Sequence, residues 1–178
     1  ISTGMLFFLV GMMYDRRHTR EIGEFGGIKR ILPVLSTFFL IAMLSSIALP
    51  LTNGFVGEFT ILQGSFISTS SGPIWTVVAA SGMVLSAVYM LWLFQRVFVG
   101  PVSKEENRRL VDLDSRETWV LLPLAGMIFL LGCFVTPWTN LLSTSVDEVT
   151  TRLQGSAVQM RAALPSKEPP LLGREAMR

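Results

Sequence analysis

The chain has 178 residues, of which half are apolar and only 16% are charged, and its net charge is +2. Its mean hydropathy of +0.51 and its apolar runs of about 20 residues exclude an ordinary soluble domain and indicate a membrane protein. The small net charge and the lack of aromatic residues among the basic ones argue against nucleic acid as a partner. The only cysteine, Cys133, excludes an internal disulfide and a cysteine metal cluster.

The first segment, residues 1–14, is an apolar run that is too short to cross a bilayer. It lacks an initiator methionine and the basic start of a signal peptide, so we interpret it as a transmembrane helix whose first half is missing. A polar loop at 15–30 follows. The next run, 31–68, is apolar apart from Glu58, and its Pro33 suits the first turn of a helix.

Two further membrane spans are predicted after the uncharged turn at 68–73. They are residues 74–98 and 118–138, and each has tryptophans near its ends that suit the membrane interface. The polar loop 99–117 separates them.

After these spans, polar and charged residues become frequent between the apolar ones. In 140–161, apolar residues recur at helical spacing between polar ones, which predicts an amphipathic helix on a membrane surface or across neighbouring subunits. The recurring positions are Leu142, Val146, Val149, Leu153, Ala157 and Met160. The tail, 162–178, is rich in proline and charge, which predicts a flexible segment.

The basic residues constrain the topology. The loops at 15–30 and 96–117 each carry five Lys or Arg, whereas the turn between the spans carries none. The positive-inside rule places both loops in the cytoplasm, so an even number of crossings must separate them. The helix that begins at residue 74 supplies one crossing, so the whole of 31–68 supplies one more, although it is long for a simple span. We therefore predict a discontinuous transmembrane helix with an extended stretch around 50–57, a kind of break that frequently marks ion sites.

Glu58 is the only charged side chain between Arg30 and Arg96. A carboxylate near the bilayer centre costs about 2.5–3.5 kcal/mol on insertion scales, so its presence indicates a function. A group balanced between burial and a nearby cation is able to bind and release protons near neutral pH. The alternative is a solvated glutamate at a helix end or a cap of the broken helix. Nearby hydroxyl and amide groups are candidates for binding water, for capping or for packing; they belong to Ser45, Ser46, Thr52 and Asn53.

The remaining titratable candidates are weaker. His18 is the only histidine, but it lies in a basic loop, which favours a solvated role over proton transfer. We find no nucleophilic triad, phosphate-binding glycine loop or metal site in the pattern.

The segments ISTGMLFFLVGMMYDRRHTREI and LPLTNGFVGEFTILQGSF, with the pair Gly26–Gly27 between them, carry a family resemblance. They resemble the C-terminal part of the antiporter-like membrane subunits of proton-pumping NADH:quinone oxidoreductase (complex I), in particular the chain M type, called chain 4 in organelles. The resemblance runs from Ile1 to about Arg161. It implies an all-α, polytopic transmembrane helix bundle with one discontinuous transmembrane helix and a C-terminal amphipathic helix.

The resemblance also implies roles. Glu58 matches the distal ionisable residue in the broken helix of this family, where sister chains more usually carry lysine. The resemblance implies a subunit without a redox cofactor, which moves protons with Glu58 as the terminal carrier. Its partners are the other membrane-arm subunits, the lipid bilayer, protons and internal water, and its place is the bacterial inner membrane. The alternatives are a subunit of a cation/proton antiporter or of an ion-pumping membrane hydrogenase, and a structural brace of a membrane complex.

Overall fold

The computed structural model describes residues 1–68, 72–102 and 104–163, without the side chains of 156–163. Over these ranges the chain forms six α-helices and no strand, which confirms the all-helical fold. The helices are α1 (Ser2–Arg17), α2 (Pro33–Ser46), α3 (Asn53–Ile67), α4 (Gly72–Phe98), α5 (Ser115–Cys133) and α6 (Val135–Ala163). Part of the predicted turn at 68–73 and, from residue 164 onward, the predicted tail lie outside the described residues.

The chain divides into a compact unit, Ile1–Val135, and a second unit that starts at Thr136. In the first unit, α2 packs against α1 and α5, and its buried residues join an apolar core. The fully buried members of this core include Leu9, Leu35, Met43, Leu121 and Ile128. The second unit contains most of α6, whose predicted apolar face is exposed from Leu142 to Leu153. Ala157 and Met160, which extend this face in the sequence, lie outside the described side chains.

Two helices in the described residues are long and apolar enough to cross a membrane, Pro73–Phe98 and Ser115–Cys133. Along the first of them, the valines and leucines that face away from the protein are more than half exposed, Val84, Leu85 and Val88 among them. This apolar outer surface is what lipid or a neighbouring subunit would cover.

The C-terminal ends of two helices differ from the sequence prediction by three residues or more. The first helix continues past residue 14 to Arg17, because two arginines in its last turn complement the negative end of the helix dipole. The last predicted span, 118–138, ends as a helix at Cys133 instead. Pro137 accounts for this end, since its ring would clash with the carbonyl of Cys133 if α5 continued, whereas it fits the first turn of α6.

The loop after α1 and the loop after α4 are bound to each other by polar contacts. Arg17, the last residue of α1, forms ion pairs with Glu24 of the loop that follows α1 and with Glu106 of the loop that follows α4. Its Nε also donates to Oδ1 of Asn107 at 2.9 Å. Lys104 pairs with Glu24 at 3.1 Å. Asn107 is fully buried, and its Nδ2 donates to the carbonyl of Glu24 at 3.0 Å. The two loops therefore lie on the same side of the bundle; their placement in the cytoplasm stays a prediction.

The start of α2 is capped from a distant part of the chain. Pro33 occupies the first turn, as predicted, and the next two backbone N–H groups donate to the carboxylate of Asp112. The Val34 nitrogen lies 2.8 Å and the Leu35 nitrogen 3.2 Å from its oxygens. These N–H groups have no partner within the helix, so the carboxylate supplies their hydrogen-bond acceptors. Its negative charge also interacts favourably with the positive end of the helix dipole.

Replacing Asp112 with alanine is expected to lower the free energy of unfolding by about 1–2 kcal/mol, the usual cost of losing a helix N-cap. Asp112→Asn keeps one acceptor oxygen and should lose less. The measurement is the midpoint of thermal unfolding of the purified protein in detergent. Asp15→Ala is the matched control, because Asp15 is exposed and carries the same charge on the same side of the bundle. Equal midpoints for the two alanine variants would contradict the capping role.

Candidate functional site at the broken helix

The apolar run 31–68 forms two helices, α2 and α3, joined by a non-helical connection at 47–52. The helices have 14 and 15 residues, so each is about 21–23 Å long and shorter than the bilayer core of about 30 Å. The single helix α4 runs beside both. Its Thr76 hydroxyl donates to Ser65 of α3 at 3.1 Å, and its Phe98 ring packs 4.7 Å from Phe39 of α2. The two short helices together thus run beside one long helix, while the single crossing of the membrane by 31–68 stays a prediction.

The position of the break differs from the prediction, because Gly54 and Gly57 are helical. Unwinding takes place earlier, where Ala48 and Leu51 have φ angles of 57° and 76° in the left-handed region. Residues other than glycine adopt this conformation at a cost of about 1 kcal/mol or more each. Pro50 lies between them and keeps the preceding residue out of the helical region. Proline, and not the glycines, thus marks the break in the sequence.

Hydrogen bonds hold the connection in this conformation. The backbone N–H of Leu49 donates to the carbonyl of Leu44 at 3.0 Å. The carbonyl of Leu49 in turn accepts two hydrogen bonds from Thr52, one from its backbone N–H at 3.1 Å and one from its hydroxyl at 2.6 Å. Thr52 is almost completely buried. The backbone polar groups of a break at membrane depth need such partners, because lipid supplies none.

Two glycines allow the backbone to pack closely around the break. A Cβ atom on Gly54 would lie 2.0 Å from the carbonyl oxygen of Ser45, at the end of α2. A Cβ atom on Gly132, near the end of α5, would lie 2.2 Å from the carbonyl oxygen of Leu51. The Sγ of Cys133 is 3.8 Å from the same oxygen. The end of α5 therefore packs directly against the connection, and only glycine fits at these two contacts.

A polar cluster joins three helices at the break. The hydroxyls of Ser2 and Ser45 lie 2.7 Å apart, and both contact Oδ1 of Asn53, at 3.0 and 2.6 Å. Ser2 and Ser45 are buried. The next residue in the chain, Ser46, has a buried Oγ with no partner among the described residues. Sequence reasoning identified three of these residues and missed Ser2, because a serine 43 and 51 residues away from its partners carries no local signal.

Glu58 lies on the inner face of α3. Its side chain is half-buried, as are those of Phe55, Leu62 and Ser65, and these four positions follow each other at steps of three and four residues. Ser65 of this face contacts Thr76 of α4, and α3 as a whole packs against α4 and α5. Since Ser65 contacts Thr76 and the two helices are antiparallel, Glu58 lies about level with Met83 of α4.

Among the described residues, the Glu58 carboxylate has neither an ion-pair partner nor the N-terminus of a helix to offset its negative charge. It is the sixth residue of α3, beyond the first turn, so it does not cap the helix. Within the described part of the chain, no Lys, Arg or His forms an ion pair with it. The same residues contain no group of three or more His, Cys, Asp and Glu that could hold a metal ion. The site therefore offers one half-buried carboxylate, six residues beyond a break that contains buried hydroxyls.

His18 directly follows α1, at the opposite end of that helix from Ser2, which belongs to the polar cluster at the break. It ends α1 in the left-handed conformation, with a φ of 54°, and its exposed ring lies edge-on to Tyr14 at 6.0 Å. Its position at the polar end of α1 agrees with the solvated role favoured by its basic neighbours.

Comparison with known protein families identifies the chain. The family model described as the transmembrane part of NADH:quinone oxidoreductase and Mrp antiporter subunits matches residues 1–93, which is more than half of the chain. The chain belongs to the NADH:quinone oxidoreductase/Mrp antiporter transmembrane family. It is thus an integral membrane protein, and the matched region of the family includes the break, Glu58 and most of α4.

Three bacterial relatives in this family are named NADH-quinone oxidoreductase subunit M. The chain is 40% identical over 145 residues to that of Rhodobacter capsulatus, 39% over 149 residues to that of Rickettsia prowazekii, and 35% over 155 residues to that of Mycobacterium tuberculosis. These matches cover 81%, 84% and 86% of the chain but only 28%, 30% and 27% of the relatives. The chain thus spans less than a third of their length. The resemblance inferred from the sequence is confirmed, and these bacterial relatives support a location in the bacterial plasma membrane.

Proposed function

We propose that the chain is part of a proton-translocating membrane-arm subunit of NADH:quinone oxidoreductase. Reduction of quinone takes place elsewhere in the complex and drives proton transfer across the membrane, partly through this chain. The chain itself holds no redox cofactor, and its protein partners are the other membrane-arm subunits. The observation that carries the proposal is the isolated Glu58 carboxylate on the inner face of a broken transmembrane helix, in a family that contains proton-moving subunits.

In this proposal, Glu58 carries the last proton toward the outer face. A carboxylate between packed helices is sensitive to charge, because each opposite or like charge brought near it shifts the balance between its protonated and ionised forms. A change of charge at a neighbouring site, driven by quinone reduction, would load or empty Glu58. The unpartnered hydroxyl of Ser46 and the hydroxyls around Asn53 are polar groups at the break to which internal water would bind.

A cation/proton antiporter subunit is the second candidate, because the same family includes Mrp antiporters. The names of the relatives favour the oxidoreductase. The test uses the full complex in sealed proteoliposomes with NADH, a quinone and a pH-sensitive dye in the lumen. We expect NADH oxidation to move protons at the same rate in sodium-free and sodium-containing buffer. A requirement for sodium would support the antiporter, and a failure to oxidise NADH would contradict the proposal.

A structural brace is the third candidate, and α6 is the feature that suggests it. Its apolar residues Leu142, Val146, Val149 and Leu153 are more than half exposed, as a helix that binds a neighbouring subunit requires. If bracing were the only role, making this face polar would stop assembly of the complex, while removal of the Glu58 charge would leave proton translocation unchanged. The second outcome is tested in the Discussion.

A further inference from the structure

An apolar groove opens at the end of the bundle where the two basic loops lie. Its walls come from Val10 of α1, Phe39 of α2, and Leu93 and Val97 of α4, and the loop after α1 closes its polar end. The lining is almost entirely apolar, with Thr19 and Arg20 at the mouth. The groove thus lies beside the last turns of a membrane-spanning helix, at the level where lipid headgroups meet acyl chains.

Arg20 lines the groove, and a second arginine, Arg96, lies in the last turn of α4. The Arg20 guanidinium lies 4.7 Å from the centre of the Tyr14 ring, and that of Arg96 lies 5.1 Å from the Trp92 ring. Stacking uses the flat face of a guanidinium and leaves its N–H edge free to donate to a phosphate. In the described residues neither arginine has a carboxylate partner, in contrast to Arg16 and Arg17.

The groove has a volume of about 130 Å³, which fits only part of an acyl chain. We propose that it binds an anionic phospholipid, with the carbons of one acyl chain nearest the headgroup between α1 and α4 and the phosphate on Arg20. The apolar walls match an acyl chain, and the free guanidinium edge at the mouth matches a phosphate oxygen. Arg96 does not line the groove, but it lies in the last turn of α4, one residue before Val97, and adds a positive charge at the same end of that helix. This site is independent of the role assigned to Glu58.

The test measures lipid labelling of the full complex reconstituted in vesicles. The probe is phosphatidylglycerol with a photoreactive diazirine on one acyl chain, and the comparison probe is phosphatidylcholine with the same acyl chain. We expect stronger labelling of peptides around the groove by phosphatidylglycerol, and a fall of about fivefold in the Arg20→Gln variant, the usual effect of one basic residue at a membrane surface. Arg109→Gln is the matched control, since Arg109 is exposed, is in the other loop and does not line the groove.

Equal labelling by the two headgroups, or unchanged labelling of Arg20→Gln, would overturn the proposal. A second measurement does not depend on that variant. Val10 is replaced with the photoreactive residue p-benzoylphenylalanine, and its adducts are identified by mass spectrometry. A phospholipid adduct supports the site, whereas an adduct with another polypeptide segment shows that protein covers the groove and also overturns the proposal.

Discussion

The Gly54→Ala variant is expected to assemble poorly, because the added methyl group would lie 2.0 Å from the carbonyl oxygen of Ser45. That oxygen belongs to the backbone of α2 and has no side-chain freedom to move aside. The variant forms only if α3 shifts away from α2, which would also separate Asn53 from Ser45. We expect a loss of at least about 3 kcal/mol in the free energy of unfolding, at the upper end of the usual cost of overpacking.

The matched control is Gly57→Ala, one turn further along the same helix. A Cβ atom there has no atom within 4 Å, and alanine is a better helix former than glycine by about 0.5–1 kcal/mol. The measurement is the amount of assembled complex extracted into mild detergent and resolved on a native gel, with the thermal midpoint of what remains. Similar yields for the two variants would contradict the close packing of α3 on α2.

The broken helix was predictable in kind but not in position. Two basic loops and one uncharged turn predict that 31–68 crosses once and is therefore interrupted, and this count needs no structural knowledge. Glycine has two opposite uses, however: it permits unwinding and it permits close packing of regular helices. At Gly54 the second use applies, and the residues that unwind, Ala48 and Leu51, have no intrinsic preference for that conformation. Only the packing around them decides it.

The candidate site was predictable where it depends on composition. Glu58 stands out because it is the only charged residue in 65 positions of sequence, 31–95. The contacts of Ser2, Asn107 and Asp112 were not predictable, since each joins segments more than 40 residues apart and a single sequence contains no record of such pairs. The same holds for the groove beside Arg20, whose walls come from three helices and a loop.

The Glu58→Gln variant of the full complex is expected to lose NADH-driven proton translocation by at least about tenfold, a modest value for removal of a proton-transfer group. Glutamine keeps the size of the side chain and its ability to hydrogen-bond, so packing of the inner face of α3 should persist. It does not bind and release a proton in the accessible pH range. Glu58→Asp keeps a titratable carboxylate on a shorter side chain and should retain part of the activity.

The strongest control moves the carboxylate instead of removing it. In the double variant Glu58→Gln, Gln63→Glu, the charge of the chain is unchanged, but the carboxylate lies about 140° around α3 and about 7.5 Å along it. Gln63 is exposed, so its position is outside the half-buried inner face that carries Glu58. We expect translocation to stay as low as in Glu58→Gln, with assembly checked on a native gel. Normal translocation by the assembled Glu58→Gln complex would refute the carrier role and favour the brace, while rescue by the double variant would show that the carboxylate acts only through its charge.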